Sequence, residues 1–275
     1  MAVTLADITH LRKMSGAGMM DCKNALEESD SDYDKAMEII RKKGQAVAAK
    51  RSDREASEGC VLATESGEFA AIVAAKCETD FVAKNGDFIA MTQKILDTAI
   101  ANKPADKDTL AALTAVDGGR TVAELITDRI GVTGEKMELG FYEFVTGAAT
   151  ISYIHPGNKL ATIVAFNKPV ERQVARDVAM QVAAMNPIAV LPSEVSQSVI
   201  DTEKEIARDK ARQAGKPETI LERIAEGAIQ KYYKDNTLLQ QEFVKDAKLT
   251  IDQYLKQQDK ELTVTAFKRV TLNVE

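Results

Sequence analysis

The chain has 275 residues, enough for two or three small domains, and its 45% hydrophobic and 28% charged residues are ordinary for a globular protein. A net charge of −6 argues against direct nucleic-acid binding, because neutralising phosphates needs a basic surface. No apolar run approaches the about 20 residues of a membrane span, so no membrane partner is expected. Three scattered cysteines without a Cys-x-x-Cys pair favour reduced thiols and a cytoplasmic location.

Residues 1–45 predict a module of three short helices. Two capping-box patterns, Thr4-x-x-Asp7 and Ser31-x-x-Asp34, are typical of helix starts. Ser15-Gly16-Ala17-Gly18 between them predicts a turn, and Ile8, Leu11 and Met14 share one helix face. A basic segment follows at 46–57, which we interpret as a solvated linker, helical in part, rather than as a nucleic-acid patch.

From about Glu58 the sequence predicts two units with the same element order, strand–strand–helix–helix–strand. Each unit opens with two apolar strands around a glycine turn and closes on a further strand. In the last strand one set of apolar residues falls on even positions, which predicts one buried face: Leu262, Val264, Ala266, Val270, Leu272 and Val274. The predicted elements are strands at 60–64, 69–76, 137–145, 149–154 and 160–167, and helices from Phe88 to Ile100, at 121–130, at 170–185 and at 246–258.

Residues 193–231 interrupt the second unit and predict a helical hairpin of coiled-coil type. Apolar residues recur at helical spacing on both sides of Gly215-Lys216-Pro217, where glycine ends one helix and proline opens the next. Two antiparallel helices bury little apolar area alone, so this arm either packs on its parent domain or meets a partner.

The pattern therefore predicts an α+β fold with a three-helix N-terminal module, a core of two related antiparallel-sheet-plus-helix halves and an inserted helical hairpin. The predicted division is 1–45 for the module, 46–57 for the linker, 58–147 for the first core half, 148–192 with 232–275 for the second half, and 193–231 for the insertion.

The usual marks of an enzyme are absent from the sequence. There is no Gly-x-x-x-x-Gly-Lys-Ser/Thr loop for phosphates, and Gly16-Ala17-Gly18 lacks the third glycine of a dinucleotide site. The two histidines, His10 and His155, stand alone, so no zinc cluster is indicated. We expect no metal, no cofactor and no chemistry of the chain's own.

The stretch "CETDFVAKNGDF" (77–88) follows an apolar strand and places an acid beside an aromatic residue. Taken alone, Phe81 is typical of a core aromatic and Asp80 of a cap or turn residue. Met19 and Met20, beside the glycine turn, also favour core positions when read without context.

Two segments, however, resemble the bacterial translation elongation factor Ts family. These are "LRKMSGAGMMDCKNALEES" (11–29) and "CETDFVAKNGDF" (77–88), long signatures found in the same order. A third segment, "SYIHPGNKLATIV" (152–164), is also similar, but Leu160 and Ala161 stand where the family often has Gly-Val. The N-terminal module is similar to ubiquitin-associated domains.

This resemblance implies a guanine nucleotide exchange factor for elongation factor Tu, a GTPase of translation that itself holds GDP and Mg²⁺. Asp80 and Phe81 would enter the GTPase near the Mg²⁺ site, with Thr79 and Val82 holding their shape. Met19 and Met20 would contact the same GTPase domain. His155 is a weaker candidate contact, because its segment departs from the family pattern.

Two other classes stay open on the residues alone: an adaptor with a ubiquitin-associated-like module and no exchange activity, and a hydrolase with a dispersed site. The sequence also leaves the stoichiometry open, since the core or the helical arm could support a homodimer.

Overall fold

A computed structural model describes residues 3–273, and three helices form its N-terminal module. The predicted capping box of Thr4 and Asp7 is confirmed. The second predicted box is wrong by one residue: Asp32 caps the third helix, because Ser31 has a positive φ of 66° instead of the extended backbone of an N-cap. Met14, predicted on the buried face, is half exposed. The three helices are α1 (Leu5–Ser15), α2 (Met19–Glu28) and α3 (Tyr33–Lys50).

Helix α3 continues through the predicted boundary at residue 45 and covers the first part of the predicted linker. The linker is thus helical in part, as predicted. Several basic side chains of this region are held in ion pairs. The pairs join Lys42 to Glu38 (2.8 Å), Lys43 to Asp21, and Arg51 to Glu78 (3.0 Å).

Two glycines let α3 dock closely on a core helix, α7 (Val122–Thr133). A Cβ added to Gly131 would lie 2.8 Å from the Cα of Gly44, and one added to Gly44 would lie 3.3 Å from the Cα of Gly131. Real Cβ atoms do not approach backbone atoms at 2.8 Å, so the crossing needs glycine at this point. The N-terminal module is therefore attached to the core by helix packing as well as by the chain.

The core contains two three-stranded antiparallel sheets, each built from one predicted unit. The first has the order β1-β2-β3 and the second β4-β5-β8. The predicted strands are confirmed to within about three residues, the usual uncertainty of element ends. Their bounds are β1 (Glu58–Ser66), β2 (Phe69–Cys77), β3 (Met137–Thr146), β4 (Ala149–Ile154), β5 (Leu160–Phe166) and β8 (Val264–Thr271).

The two sheets pack face to face, and each carries helices on its outer face. In β2, Phe69, Ala71 and Val73 face the first helical layer, while Ala70 and Ile72 face the other sheet. Because both faces are covered, the central strands read as continuous apolar runs. The first outer layer contains α5 (Gly86–Asn102), α6 (Lys107–Ala112) and α7, and the second contains α8 (Arg172–Met185) and α11 (Ile251–Lys256). The short helix α6 was not predicted.

The predicted helix at 246–258 is wrong over its first part. A small hairpin, β6 (Glu242–Phe243) with β7 (Asp246–Thr250), occupies that part of the chain. Helix α11 begins only at Ile251, where Thr250 and Gln253 form a capping box. Pairing with β6 and the cap at Thr250 together start the helix five residues later than the apolar spacing suggested.

The single buried face predicted for the last strand is also wrong in part. The register between β5 and β8 shifts at Ala165 and Phe166. As a result Val264 packs on the second helical layer, whereas Ala266 and Val270 pack between the sheets. A bulge of one residue reverses the faces of all later side chains. Val274 lies outside the described residues.

The predicted helical arm is present as α9 (Gln197–Gln213) and α10 (Glu218–Asn236), which runs five residues beyond the predicted end at 231. Gly215 turns the chain with a φ of 72°, and Pro217 precedes α10. Ion pairs between Arg208 and Glu222 (2.8 Å) and between Arg212 and Glu218 (3.2 Å) join the helices near the turn. Between residues 3 and 273, no helix combines the length and apolar character needed to cross a membrane.

The glycine crossing yields a stability prediction with an internal control. Gly131→Ala places a methyl group against backbone and is expected to lower the free energy of unfolding by about 1–3 kcal/mol. Gly227→Ala, on α10 with open space around it, is expected to raise it by up to about 1 kcal/mol through helix propensity. Denaturant unfolding of both variants checks the opposite signs, and equal effects would contradict the close crossing.

Candidate partner-docking site

The signature 77–88 forms a one-turn helix, α4 (Asp80–Ala83), between β2 and α5. Thr79 is its N-cap and accepts from the backbone N–H of Val82 (3.4 Å). Ala83 is buried and Val82 packs against the first core. Because successive residues of a helix point about 100° apart, burying these two turns Asp80 and Phe81 outward. We call Thr79–Ala83 the tip.

Phe81 is 84% exposed, so it is not the core aromatic that the residues alone favoured. Phe88, seven residues later, is fully buried and fills that role. A single exposed apolar residue is common on protein surfaces, so the contact of Phe81 with a partner stays a prediction.

Asp80 is the first residue of α4, and the cap is Thr79 instead. The Asp80 carboxylate accepts a hydrogen bond from the ammonium group of Lys84 at 2.7 Å. That hydrogen bond, with further help from the positive charge of Lys159, holds the pKa of Asp80 below its ordinary value. The tip therefore presents an ionised carboxylate beside an exposed aromatic ring.

The base of the tip is held by residues that sequence reasoning missed. The backbone N–H of Thr79 donates to Glu135 Oε2 (3.1 Å), and its hydroxyl donates to Glu135 Oε1 (2.7 Å). The Cys77 thiol donates to the carbonyl of Thr79 (3.3 Å). No local pattern could have predicted the contact with Glu135, because 56 residues separate it from Thr79.

The turn between β4 and β5 lies beside the tip and carries His155. Lys159 of this turn forms an ion pair with Glu58 (2.6 Å). Its positive charge also helps to lower the pKa of Asp80. His155 is exposed, and its Nδ1 lies 3.0 Å from the hydroxyl of Tyr153. The second core half thus brings its turn to the site, although the contact of His155 with a partner stays a prediction.

Met19 and Met20 are 46% and 63% exposed, so they are not the core residues that their composition favoured. They open α2 directly after Gly18. The preceding turn lies against α7, because a methyl group on Gly16 would come 4.0 Å from Nη1 of Arg129.

Arg129 of α7 lies near that turn and also reaches the segment after the tip. Its Nη2 pairs with Asp87 (2.8 Å) and donates to Asn85 (3.1 Å), just after the tip. Arg129 therefore lies near the glycine turn before Met19 and pairs with the segment that follows the tip.

No group of three or more His, Cys, Asp or Glu side chains that could hold a metal is found within residues 3–273. A groove of about 850 Å³ lies at the base of the arm, lined by residues such as Met185, Leu191 and Lys234. It is not formed by the tip, the methionine pair or the 155–159 turn. Among the described residues, the predicted site is therefore a protruding surface instead of a cavity.

Comparison with known proteins identifies the family of the chain. A family model for elongation factor Ts matches residues 78–274. Elongation factor Ts of Porphyromonas gingivalis is 70% identical over 275 residues, and that of Azobacteroides pseudotrichonymphae is 57% identical over 276, with the full length of each chain covered. The Phocaeicola vulgatus protein is 48% identical, again over the whole of both chains.

These relatives place the chain among the translation elongation factors. It belongs to the elongation factor Ts family, so the resemblance carried by the two signatures is confirmed.

The exposure of Phe81 predicts how its removal affects stability. Phe81→Ala should change the free energy of unfolding by less than about 0.5 kcal/mol, because the ring has few internal contacts to lose. Phe88→Ala should lower it by about 3–5 kcal/mol through an unfilled cavity. Thermal or denaturant unfolding measures both, and a large loss for Phe81→Ala would make that residue part of the core.

The buried thiols give a prediction about reactivity. Burial raises the pKa of Cys77 to about 12 and that of Cys60 to about 11. A raised pKa favours the neutral thiol, so at pH 8 both should react with a disulfide reagent roughly 100-fold more slowly than in the unfolded chain. Cys22 is also buried. Titration with and without guanidinium checks this, and fast labelling of Cys77 in the native protein would contradict it.

Proposed function

We propose that the chain is a guanine nucleotide exchange factor for elongation factor Tu. The observation that carries this proposal is the tip, where an exposed phenylalanine and an ionised aspartate stand on a one-turn helix braced from below. Membership of the elongation factor Ts family supports the choice of partner.

Exchange requires only linked binding equilibria. If this chain binds the nucleotide-free GTPase better than the GDP-bound form, each of the two ligands weakens the binding of the other by the same factor. GDP then leaves faster from the ternary complex, and GTP rebinds and displaces the exchange factor. The GTPase itself binds the nucleotide and the metal, so this chain needs neither a phosphate-binding loop nor a cofactor.

Phe81 supplies the apolar part of the binding energy at the tip. Moving its ring from water into an apolar gap between helices of the partner is worth about 1.5–3 kcal/mol. That energy contributes to repositioning a helix of the partner, but it does not by itself offset tight GDP binding. The rest must come from Asp80 and from the wider interface.

Asp80 acts on the electrostatics of the partner's metal site. Mg²⁺ demands near-ideal octahedral geometry, so a small displacement of its ligands weakens it and the phosphates it bridges. A carboxylate brought close to that site adds a competing charge and hydrogen-bond acceptors. Lys84, which pairs with Asp80 in the free chain, keeps the carboxylate ionised until contact.

Two further contacts complete the proposed interface. Met19 and Met20 bind the same GTPase domain, and their flexible side chains adapt to an irregular apolar surface. His155 approaches the partner from the second core half, on the turn whose Lys159 lies beside the tip. Thr79 and Val82 serve the interface indirectly, because their contacts are made within the chain.

An adaptor role without exchange would use the same N-terminal module but would not explain why the tip exposes Phe81. The exposure of Phe81 and its bracing favour the exchange factor over the adaptor. A hydrolase is not supported, since the described residues near the tip form no group of nucleophile, base and orienting acid.

The proposal predicts the effect of two substitutions on nucleotide release. Release of a fluorescent GDP analogue from purified elongation factor Tu should be accelerated by the wild-type chain. Phe81→Ala should slow the rate at saturating factor by about 10- to 100-fold, the kinetic equivalent of the apolar energy lost. Asp80→Ala should also slow it.

Phe141→Ala serves as the matched control, because this aromatic residue is also exposed but lies on β3. It should leave the rate within about twofold of the wild type, as expected for a surface change away from the site. No acceleration by the wild-type chain would exclude the exchange function. Equal losses for Phe81→Ala and Phe141→Ala would remove the tip from the mechanism.

A further inference from the structure

The segment that carries the tip and the segment that opens β3 bind each other reciprocally. The Glu135 carboxylate accepts hydrogen bonds from both the backbone N–H and the hydroxyl of Thr79, at 3.1 and 2.7 Å. In return the Glu78 carboxylate accepts a hydrogen bond from the backbone N–H of Lys136 at 2.6 Å. Two consecutive residues on one segment therefore hold two consecutive residues on the other, and each pair uses a carboxylate as acceptor.

The backbone of Glu135 and the carboxylate of Glu78 are themselves held in place. The backbone N–H of Glu135 donates to the hydroxyl of Thr133, directly after α7 ends. Glu78 also accepts two hydrogen bonds from Arg51 (3.0 and 3.1 Å), and the hydrogen bonds from Lys136 and Arg51 lower its pKa. Neutral pH therefore leaves Glu78 ionised and able to accept all of these hydrogen bonds.

The tip needs such support because α4 is only four residues long. A helix of one turn is not stable alone in water, since nucleation costs more than one turn of hydrogen bonds returns. Phe81 cannot anchor it either, because its ring is exposed. The orientation of Phe81 thus depends on what holds Thr79, the residue that caps the turn, as well as on the packing of Val82 and Ala83.

We propose that Glu135 is a positioning residue for nucleotide exchange. It touches neither nucleotide nor metal, and it acts through Thr79 by fixing the direction in which Phe81 and Asp80 leave the surface. This inference rests on the proposed exchange function. Holding the tip in its binding geometry lowers the entropy lost on docking, so loosening it slows GDP release without removing any partner contact.

The first test needs no partner. In Glu135→Ala, hydrogen exchange at the amides of residues 79–84 should become at least tenfold faster, while the amides of β1 and β2 keep their protection. Glu143→Ala is the matched control, because this acid also lies on the β3 segment but pairs with Lys268 (2.9 Å) away from the tip. Unchanged exchange at 79–84 in Glu135→Ala would overturn the positioning role whatever the chain's function.

The second test asks whether Glu135 works through Phe81. The rate of GDP release at saturating factor should fall about tenfold in Glu135→Ala, with a smaller effect on the concentration of factor that gives half the maximal rate. In the Phe81→Ala background the same change should have little further effect, because contacting groups that act as a unit are not additive. Equal fold losses in both backgrounds would overturn the proposal.

Substitutions at Thr79 keep the test decisive if Glu135→Ala folds poorly. Thr79→Val removes the hydroxyl that Glu135 binds and should slow release, whereas Thr79→Ser keeps the hydroxyl and should restore most of the rate. Similar rates for the two variants would overturn the role of the hydrogen bond between Glu135 and the Thr79 hydroxyl. If the wild-type chain itself fails to accelerate release, the exchange function fails, and the hydrogen-exchange test still decides the role of Glu135 in holding the tip.

Discussion

The structure depends on the face-to-face contact of two three-stranded sheets. This contact is made largely by small side chains, among them Ala63, Ala70, Ala74, Ala161 and Ala165. Small residues allow the sheets to approach closely and put their strand ends side by side. The backbone N–H of Val61 in the first sheet then reaches the carbonyl of Asn158 in the turn of the second at 2.7 Å.

That contact explains why the candidate site is composite. The tip extends from the end of β2 in one sheet, and the 155–159 turn belongs to the other. Neither half alone would set Lys159 beside Asp80. The site is thus a property of the paired sheets, which the packing of their inner faces holds in register.

The tip also shows how neighbouring contacts stabilise a functional surface that is not stable by itself. An exposed phenylalanine contributes almost nothing to folding, and a four-residue helix is unstable by itself. Partly buried Val82, buried Ala83 and the hydrogen bonds of Thr79 supply the stability that Phe81 does not. Stability and function are therefore divided between adjacent residues of one short segment.

The N-terminal module is brought to the same site by a different device. The close crossing of α3 and α7 attaches it to the core, and Arg129 on α7 pairs with the segment after the tip. The module that carries the methionine pair is consequently packed on the core helix whose Arg129 also pairs with Asp87 after the tip.

Local sequence alone determined most helices and strands, the capping box at Thr4, the hairpin turn at Gly215 and, through two signatures, the family. These features depend on residues within a few positions of one another, so their patterns are visible in the chain. Tertiary structure alone decided that Glu135 holds Thr79, that the chain before Ile251 pairs as a strand, and that a bulge reverses the faces of β8. Each of these depends on contacts between distant segments, and no local pattern records which distant group will supply a hydrogen bond or cover a face.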